Sequence, residues 1–411
     1  MITLKQYFFS SLIYLLIIAV LGFLLRNFTA DLISMDFIRE YEYGVHTHSH
    51  IALLGWVYIA LTTLLGGIFL PHSLLRSHYL KWFIATQLTI IGMLITFPLQ
   101  GYAFSSILFS SLFLITTYIF WWLIINCTCP EKKQLFAFSL AKYALFYLAI
   151  SSIGPWSLGG IIAVLGKTSV WYKLAIYFYL HFQYNGWFIL AITALVFYIV
   201  EKKGIPIKNT YKKPFLITIH LGIILSFFLS TLWANDSDLN YFISNVGNFF
   251  QILGFFLFLL MIRKSCTFIF SRSTPVQKTL ITMIGIIFFS KLIMQVANGL
   301  PFFHEIIDSN KDLVIGYLHW YFLGFITPFI LRLAEYFKLI KINIAFWVIY
   351  FLAFFTSEFF IAYRAASVML DDHYLIYLNN YIAISSGIYM ISIFWLLFIN
   401  IKTIRIRNAL R

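Results

Sequence analysis

A helix needs about 20 consecutive, mostly apolar residues to cross the ~30 Å hydrocarbon core of a bilayer. The chain offers twelve such runs in 411 residues. They extend from Phe8 to Leu25, His50 to Leu70, Trp82 to Phe97, Ala103 to Ile125, Phe136 to Ile153 and Trp171 to Val200. The second half supplies Pro214 to Trp233, Phe242 to Ile262, Leu280 to Leu300, Leu313 to Leu331, Ile342 to Ala362 and Ile382 to Ile401. With 61% hydrophobic and 11% charged residues, the chain lacks the polar surface that a soluble globular domain must hydrate. The expected class is all-α, a polytopic membrane protein forming one integral membrane domain over residues 1–411. Pro71, Pro98, Pro130, Pro206 and Pro275 fall between runs, where loops are expected. The first run follows only Lys5 and lacks a small-residue cleavage site, so a retained first helix is expected.

Charge placement orients the runs. Cytoplasmic loops of membrane proteins are rich in Lys and Arg. One side carries Lys5, Arg76, Lys81, Lys132, Lys133, Lys142, Lys202, Lys203, Lys208, Lys212, Lys213, Arg263, Lys264, Arg272 and Lys278. Arg332, Lys338, Lys341, Lys402, Arg405, Arg407 and Arg411 join them on that side. The other side keeps Arg26, Arg39, Lys167, Lys173, Lys311 and Arg364, while Lys291 falls inside a run. Acidic residues gather with this second group: Asp31, Asp36, Glu40, Glu42, Asp236, Asp238, Glu305, Asp308, Asp312, Asp371 and Asp372. Both termini are therefore expected in the cytoplasm, with the chain in a cell inner membrane. The net charge of +14 then serves topology and anionic lipid, and no nucleic-acid partner is expected.

A histidine followed five residues later by Gly and a large aromatic occurs three times: HIALLGW from His50, HFQYNGW from His181 and HWYFLGF from His319. The intervals are 131 residues from His50 to His181 and 138 from His181 to His319. Even spacing implies three pseudo-repeated four-helix units, approximately 1–130, 131–272 and 273–411, with the histidine on spans 2, 6 and 10. All three spans run inward, which puts the histidines toward the outer leaflet. Histidine within a membrane span is costly and usually functional.

Span 2 opens with GVHTHSHIALLGW, in which His46 and His50 share a helix face and His48 points elsewhere. Imidazole is an axial ligand for haem iron and also binds copper and zinc. The bland alternative is an interfacial histidine bonded to a loop carbonyl or headgroup. Gly55, Gly186 and Gly324 would let a macrocycle or a neighbouring helix approach. His181 stands with Gln183, Tyr184 and Asn185, a cluster that suits copper, a proton path or a network tying helices together. Lys291 lies with Gln295 and Asn298 on span 9, and Glu358 on span 11 is its expected acidic partner, as a structural ion pair or part of a proton path. His220 is expected toward the cytoplasmic face, and His72, His78, His304 and His373 in loops. Cys127, Cys129 and Cys266 make no disulfide framework, and the single CxC is a weak soft-metal signal.

Twelve spans, cytoplasmic termini, a threefold repeat and histidines on spans 2, 6 and 10 resemble subunit I of the haem–copper oxidase superfamily. His46-Thr47, nine residues before Gly55, is similar to the start of helix 2 in cbb-type oxidases and nitric oxide reductases. HSHIALLGW also resembles the start of their tenth helix, and His181 to Val200 their sixth. NnrS-type haem and copper membrane proteins, associated with nitric oxide stress, share an HxH…GF pattern and similar length. The resemblance implies haem b ligated by His319, with His50 or His46 opposite and His48 beside them; copper at His181; and Arg364 against the haem propionates. The sequence departs from the family at two places. The tenth-helix HxH reads Tyr317-Leu318-His319, and the paired histidines of helix 7 are missing from STLWANDSDL. The binuclear oxygen-reducing site is thus incomplete, and copper keeps one of three ligands.

The resulting expectation is a haem-binding redox protein, in electron transfer or nitric oxide handling, with a quinol or cytochrome as electron donor and respiratory-complex subunits as partners. If it is an enzyme, it is an oxidoreductase. Two other readings stay open: a secondary transporter whose histidines line a substrate or proton path, and a non-catalytic partner in assembly of a respiratory complex.

Overall fold

The computed structural model describes residues 3–34, 38–369 and 375–409. Asp36, Asp371, Asp372, His373 and Arg411 lie outside the described residues. The fold is all-α, and among the described residues twelve helices are long and apolar enough to cross a membrane. They are α1 (Leu4–Thr29), α2 (Tyr41–Phe69), α3 (His72–Gln100), α4 (Phe104–Cys127), α5 (Phe136–Leu165) and α6 (Val170–Lys202). The rest are α7 (Asn209–Thr231), α8 (Asp238–Arg272), α9 (Pro275–Asn298), α10 (Lys311–Tyr336), α11 (Ile344–Val368) and α12 (Tyr377–Ile401).

Helix ends follow local chemistry. Ser169 and Ser237 cap α6 and α8 by accepting from Tyr172 N and Asn240 N. At α9, Thr274 and Gln277 form a reciprocal capping box, and Pro275 fills the first turn, where no amide partner is required. The start of α5 is capped from a distance: the Glu201 carboxylate accepts from Phe136 N and Ala137 N at 2.8 and 3.0 Å. Pro98, expected in a loop, lies inside α3. It sits in the last turn, where the missing amide costs one ladder bond and the helix is about to end.

Three helices share one irregularity. Directly after His50, His181 and His319 the backbone widens into a π-helical turn, over Ile51–Tyr58, Phe182–Phe188 and Trp320–Ile326. Each copy of the His–Gly–aromatic motif therefore encodes the same departure from α geometry, at the same place. Turns of this kind are rare and concentrate at functional positions.

Backbone contacts group the chain into two compact units, Met1–Phe120 with Lys311–Arg411, and Trp121–Asn310. The first holds α1 to α3, most of α4, and α10 to α12. Its most enclosed helix is α2, with 89% of its apolar window buried. Trp56 of α2 is 1% exposed and donates from Nε1 to Thr327 Oγ1 of α10 at 2.9 Å. The second unit holds α5 to α9, with α6 the most enclosed at 72%.

The two units repeat a packing detail. Tyr14 on α1 donates its hydroxyl to Gln87 Oε1 on α3, and Tyr147 on α5 bonds His220 Nδ1 on α7; both pairs are 73 residues apart. Between them pass Gly55 and Gly186. A Cβ at Gly55 would lie 2.8 Å from the Tyr14 ring, and one at Gly186 2.6 Å from Tyr147. Lipid is as apolar as leucine, so helix association in a membrane depends on close packing and polar bonds of this kind. Gly55→Leu and Gly186→Leu should each cost about 1–3 kcal/mol through overpacking. Denaturant unfolding of the detergent-solubilised protein checks this, with Gly159→Leu, where a Cβ meets nothing within 4 Å, expected to be neutral.

Candidate functional site

The first unit gathers ionisable side chains from four of its helices, α1, α2, α10 and α11. On α2, the 3.6-residue period sends His46 and His50 one way and His48 another. His50 Nδ1 lies 2.8 Å from the His46 carbonyl, which makes it the protonated nitrogen and leaves Nε2 as acceptor, 3.5 Å from Tyr102 Oη. The His50 ring packs on Phe97 at 4.3 Å, and His46 on Tyr102 at 4.8 Å. Both rings thus face the end of α3 and the turn after it.

His48 turns instead toward α1. Its ring fits over Gly22, where a Cβ would come within 3.2 Å of Cε1. It stands within electrostatic range of Arg26 and of His319 on α10. His319 in turn faces Glu358 of α11, with Nδ1 and Oε1 3.8 Å apart, beyond hydrogen-bond length. The Glu358 side chain is 8% exposed and that of His319 28%. His48 Nδ1, His319 Nδ1 and Glu358 Oε1 are all buried atoms without a hydrogen bond among the described residues. Three orphaned polar atoms in one apolar neighbourhood are unusual, since burial without a partner costs about 1–3 kcal/mol each.

Arg364 is held differently. Its guanidinium grips Asp312 of α10 with two bonds, Nε to Oδ2 at 2.8 Å and Nη2 to Oδ1 at 2.5 Å, and donates Nη1 to Asn379 Oδ1 at 2.6 Å. Asn379 passes the link on to the Thr29 carbonyl at 3.2 Å, which joins α1, α10, α11 and α12. With Asp312 taking two sides of the fork, Arg364 serves as a clamp. Arg26 is the arginine within electrostatic range of Glu358, and no hydrogen bond or ion pair of its guanidinium is found among the described residues.

In the second unit His181 is 4% exposed and bonded at both nitrogens. Nε2 lies 2.8 Å from the Ile223 carbonyl and must be the donor. Nδ1 then accepts from Asn185 Nδ2 at 3.4 Å and Ser230 Oγ at 3.3 Å. Asn185 Oδ1 receives Lys291 Nζ at 2.8 Å, and Gln295 Oε1 receives it at 2.6 Å. The cluster is a helix-tying network in which Lys291 meets amide oxygens, while the Glu358 carboxylate stands beside His319. Among the described residues no group of three or more His, Cys, Asp or Glu comes together to hold a metal ion. His220 bonds Tyr147, and His304, in a short helix over Pro301–Ser309, bonds Asn298 Oδ1 at 3.0 Å.

Of the residues expected to act together, the structure brings His48 and His319 into one neighbourhood and turns His46 and His50 toward Tyr102. Sequence reasoning passed over Arg26, although it is the only charged residue within α1 beyond Lys5 and so stands out in an apolar run. The roles of Asp312 and Ser230 carry no local signal, whereas Asn185 stands in the polar cluster that the sequence shows around His181. No protein-family model matches the chain, and no curated protein is detectably similar to it.

Asp312→Leu should destabilise the first unit by about 2–3 kcal/mol, because it strands a partly buried guanidinium. Adding Arg364→Leu should recover part of that loss. Unfolding curves of the two variants against the parent check both statements.

Proposed function

We propose that this multi-pass membrane protein binds haem b in its first unit, between His48 and His319, and serves in one-electron redox chemistry. The observation that carries the reading is the set of atoms on His48, His319 and Glu358 without a hydrogen bond among the described residues, within electrostatic range of Arg26, whose guanidinium has no bonded partner among those residues. Imidazoles from two helices form the ligand pair that a b-type haem needs. Glu358 Oε1, 3.8 Å from His319 Nδ1, would on closing to hydrogen-bond length fix that ring's tautomer and leave Nε2 for a metal, as the outer partner of a ligating histidine usually does. Arg26 offers a cation for haem carboxylates in place of Arg364, which Asp312 occupies. Haem, when bound, supplies reversible electron uptake; the chain supplies ligands, orientation and a water-poor surrounding.

The repeated π turns support the same reading, since they set off each histidine from regular helix. The hydrogen bonds on both nitrogens of His181 favour a structural role for it over copper binding. A role in electron transfer or nitric oxide handling follows, with a quinol or cytochrome donor in an inner membrane and respiratory-complex subunits as neighbours. Loop charges support cytoplasmic termini.

Two measurements test this. Purified protein with ordinary haem supply should show a b-type reduced-minus-oxidised spectrum. His319→Ala and His48→Ala should each cut haem content at least several-fold, whereas His50→Ala should retain most of it. A spectrum without a Soret band sinks the haem reading; loss with His50→Ala and retention with His48→Ala reassigns the ligand. Reporter fusions at both ends should be active on the cytoplasmic side only, and activity outside would reverse the topology.

A further inference from the structure

The first turns of α2 carry two imidazoles that the haem reading leaves unused. His46 and His50 lie four residues apart in the regular helical stretch before the π turn, Tyr41–His50. Residues at that spacing share a face, with Cβ atoms about 5–6 Å apart. His50 donates from Nδ1 to the His46 carbonyl at 2.8 Å, which lays its ring back over the turn that carries His46. The same bond leaves the lone pair on Nε2. A backbone carbonyl on the far nitrogen is a common outer partner of a metal-ligating imidazole. His181 differs, since both of its nitrogens are bonded. On His46 neither ring nitrogen has a hydrogen bond among the described residues, and both His46 and His50 are half-buried.

The surroundings suit the pair. Tyr102 stands against both rings, with centroids 4.8 Å from His46 and 5.8 Å from His50, inclined at 65° and 66°. Its hydroxyl lies 3.5 Å from His50 Nε2. Phe97 packs on the His50 ring at 4.3 Å and on Tyr102 at 5.2 Å. The turn before Tyr102 depends on Gly101, whose φ of +56° and ψ of −138° other residues rarely adopt. A Cβ there would run into the Tyr43 ring of α2. Glu42, exposed and four residues before His46, is within electrostatic range of it and favours the approach of a cation. Arg26 acts on His48 and His319 instead.

We propose that His46 and His50 bind a copper(II) ion. Histidines at i and i+4 hold zinc in H-E-x-x-H helices, and copper(II) binds nitrogen sites more tightly than zinc does. Among the described residues no third His, Cys, Asp or Glu joins the pair. The other positions of a tetragonal ion therefore fall to oxygen. An ion about 2 Å from an imidazole nitrogen has the Tyr102 hydroxyl in reach. The site uses neither His48 nor His319 and is independent of the haem reading.

The test uses the full-length protein, purified without a histidine tag and dialysed against glycine-buffered copper(II). Bound copper is counted by plasma mass spectrometry, and its ligands are read by electron spin-echo envelope modulation. Wild type should take up one saturable equivalent more than the double variant His46→Gln, His50→Gln, and its signal should carry imidazole nitrogen. Each single variant should weaken binding at least about tenfold, the smaller loss seen when only an outer partner of a ligand is removed. His72→Gln, at an exposed histidine outside the pair, should leave uptake unchanged. A wild-type signal without imidazole nitrogen overturns the proposal with no reference to any variant. Equal uptake by wild type and the double variant also overturns it.

Discussion

Inside a bilayer no water is present to bond a stray amide or carbonyl, so a spanning segment must satisfy its backbone internally or against a neighbour. The rest of this structure depends on that constraint. Nine of the twelve spans meet it without a π turn. The other three, α2, α6 and α10, depart from regular helix directly after a histidine. Such a departure is tolerated only where protein covers it. Accordingly α2 and α6 are the most enclosed helices of their units, and in α10 the Leu323 carbonyl, inside the π turn, accepts Tyr350 Oη at 2.7 Å. Tyr389 donates to that same Tyr350 hydroxyl at 3.3 Å, extending a polar thread through an aromatic interior.

The spans were legible because hydropathy in a membrane protein answers to a single requirement, length of apolar run. The three histidines were legible as equivalents because Gly and an aromatic follow each at fixed spacing. That the spacing encodes a π turn was not, since apolar residues on every side leave no periodic stripe from which a change of phase can be read. The start of α2 illustrates a related limit. Tyr41 to Ser49 is too polar to enter an apolar run, yet it continues the same helix because its polar side chains find intrahelical acceptors, as Thr47 does at the Tyr43 carbonyl and Ser49 at Val45.

The candidate site shows where local reading stops. Helical period alone separates His48 from His46 and His50, but which face meets His319 depends on packing across some 270 residues of chain. Arg364 at the outer end of α11 reads as a cation awaiting an anionic cofactor; Asp312, 52 residues earlier, has already claimed it. Lys291 and Glu358 read as partners because each is an isolated charge in an apolar helix. The protein gives the lysine two amide oxygens and sets the carboxylate beside an imidazole. In a low-dielectric interior, hydrogen-bonding neutral groups can hold a charge as well as a counter-ion does, and sequence distance does not reveal which is used.

The π turns have a geometric result as well. An α-helix advances about 100° per residue, so a turn that takes in one extra residue rotates everything after it by roughly that angle relative to everything before. On α2, α6 and α10 the histidine lies on one side of this offset and the long apolar segment on the other. The direction in which each imidazole projects is thus uncoupled from the stripe that meets lipid or neighbouring helices. Either half can be re-aimed by gain or loss of a single residue at the turn, without redesign of the other.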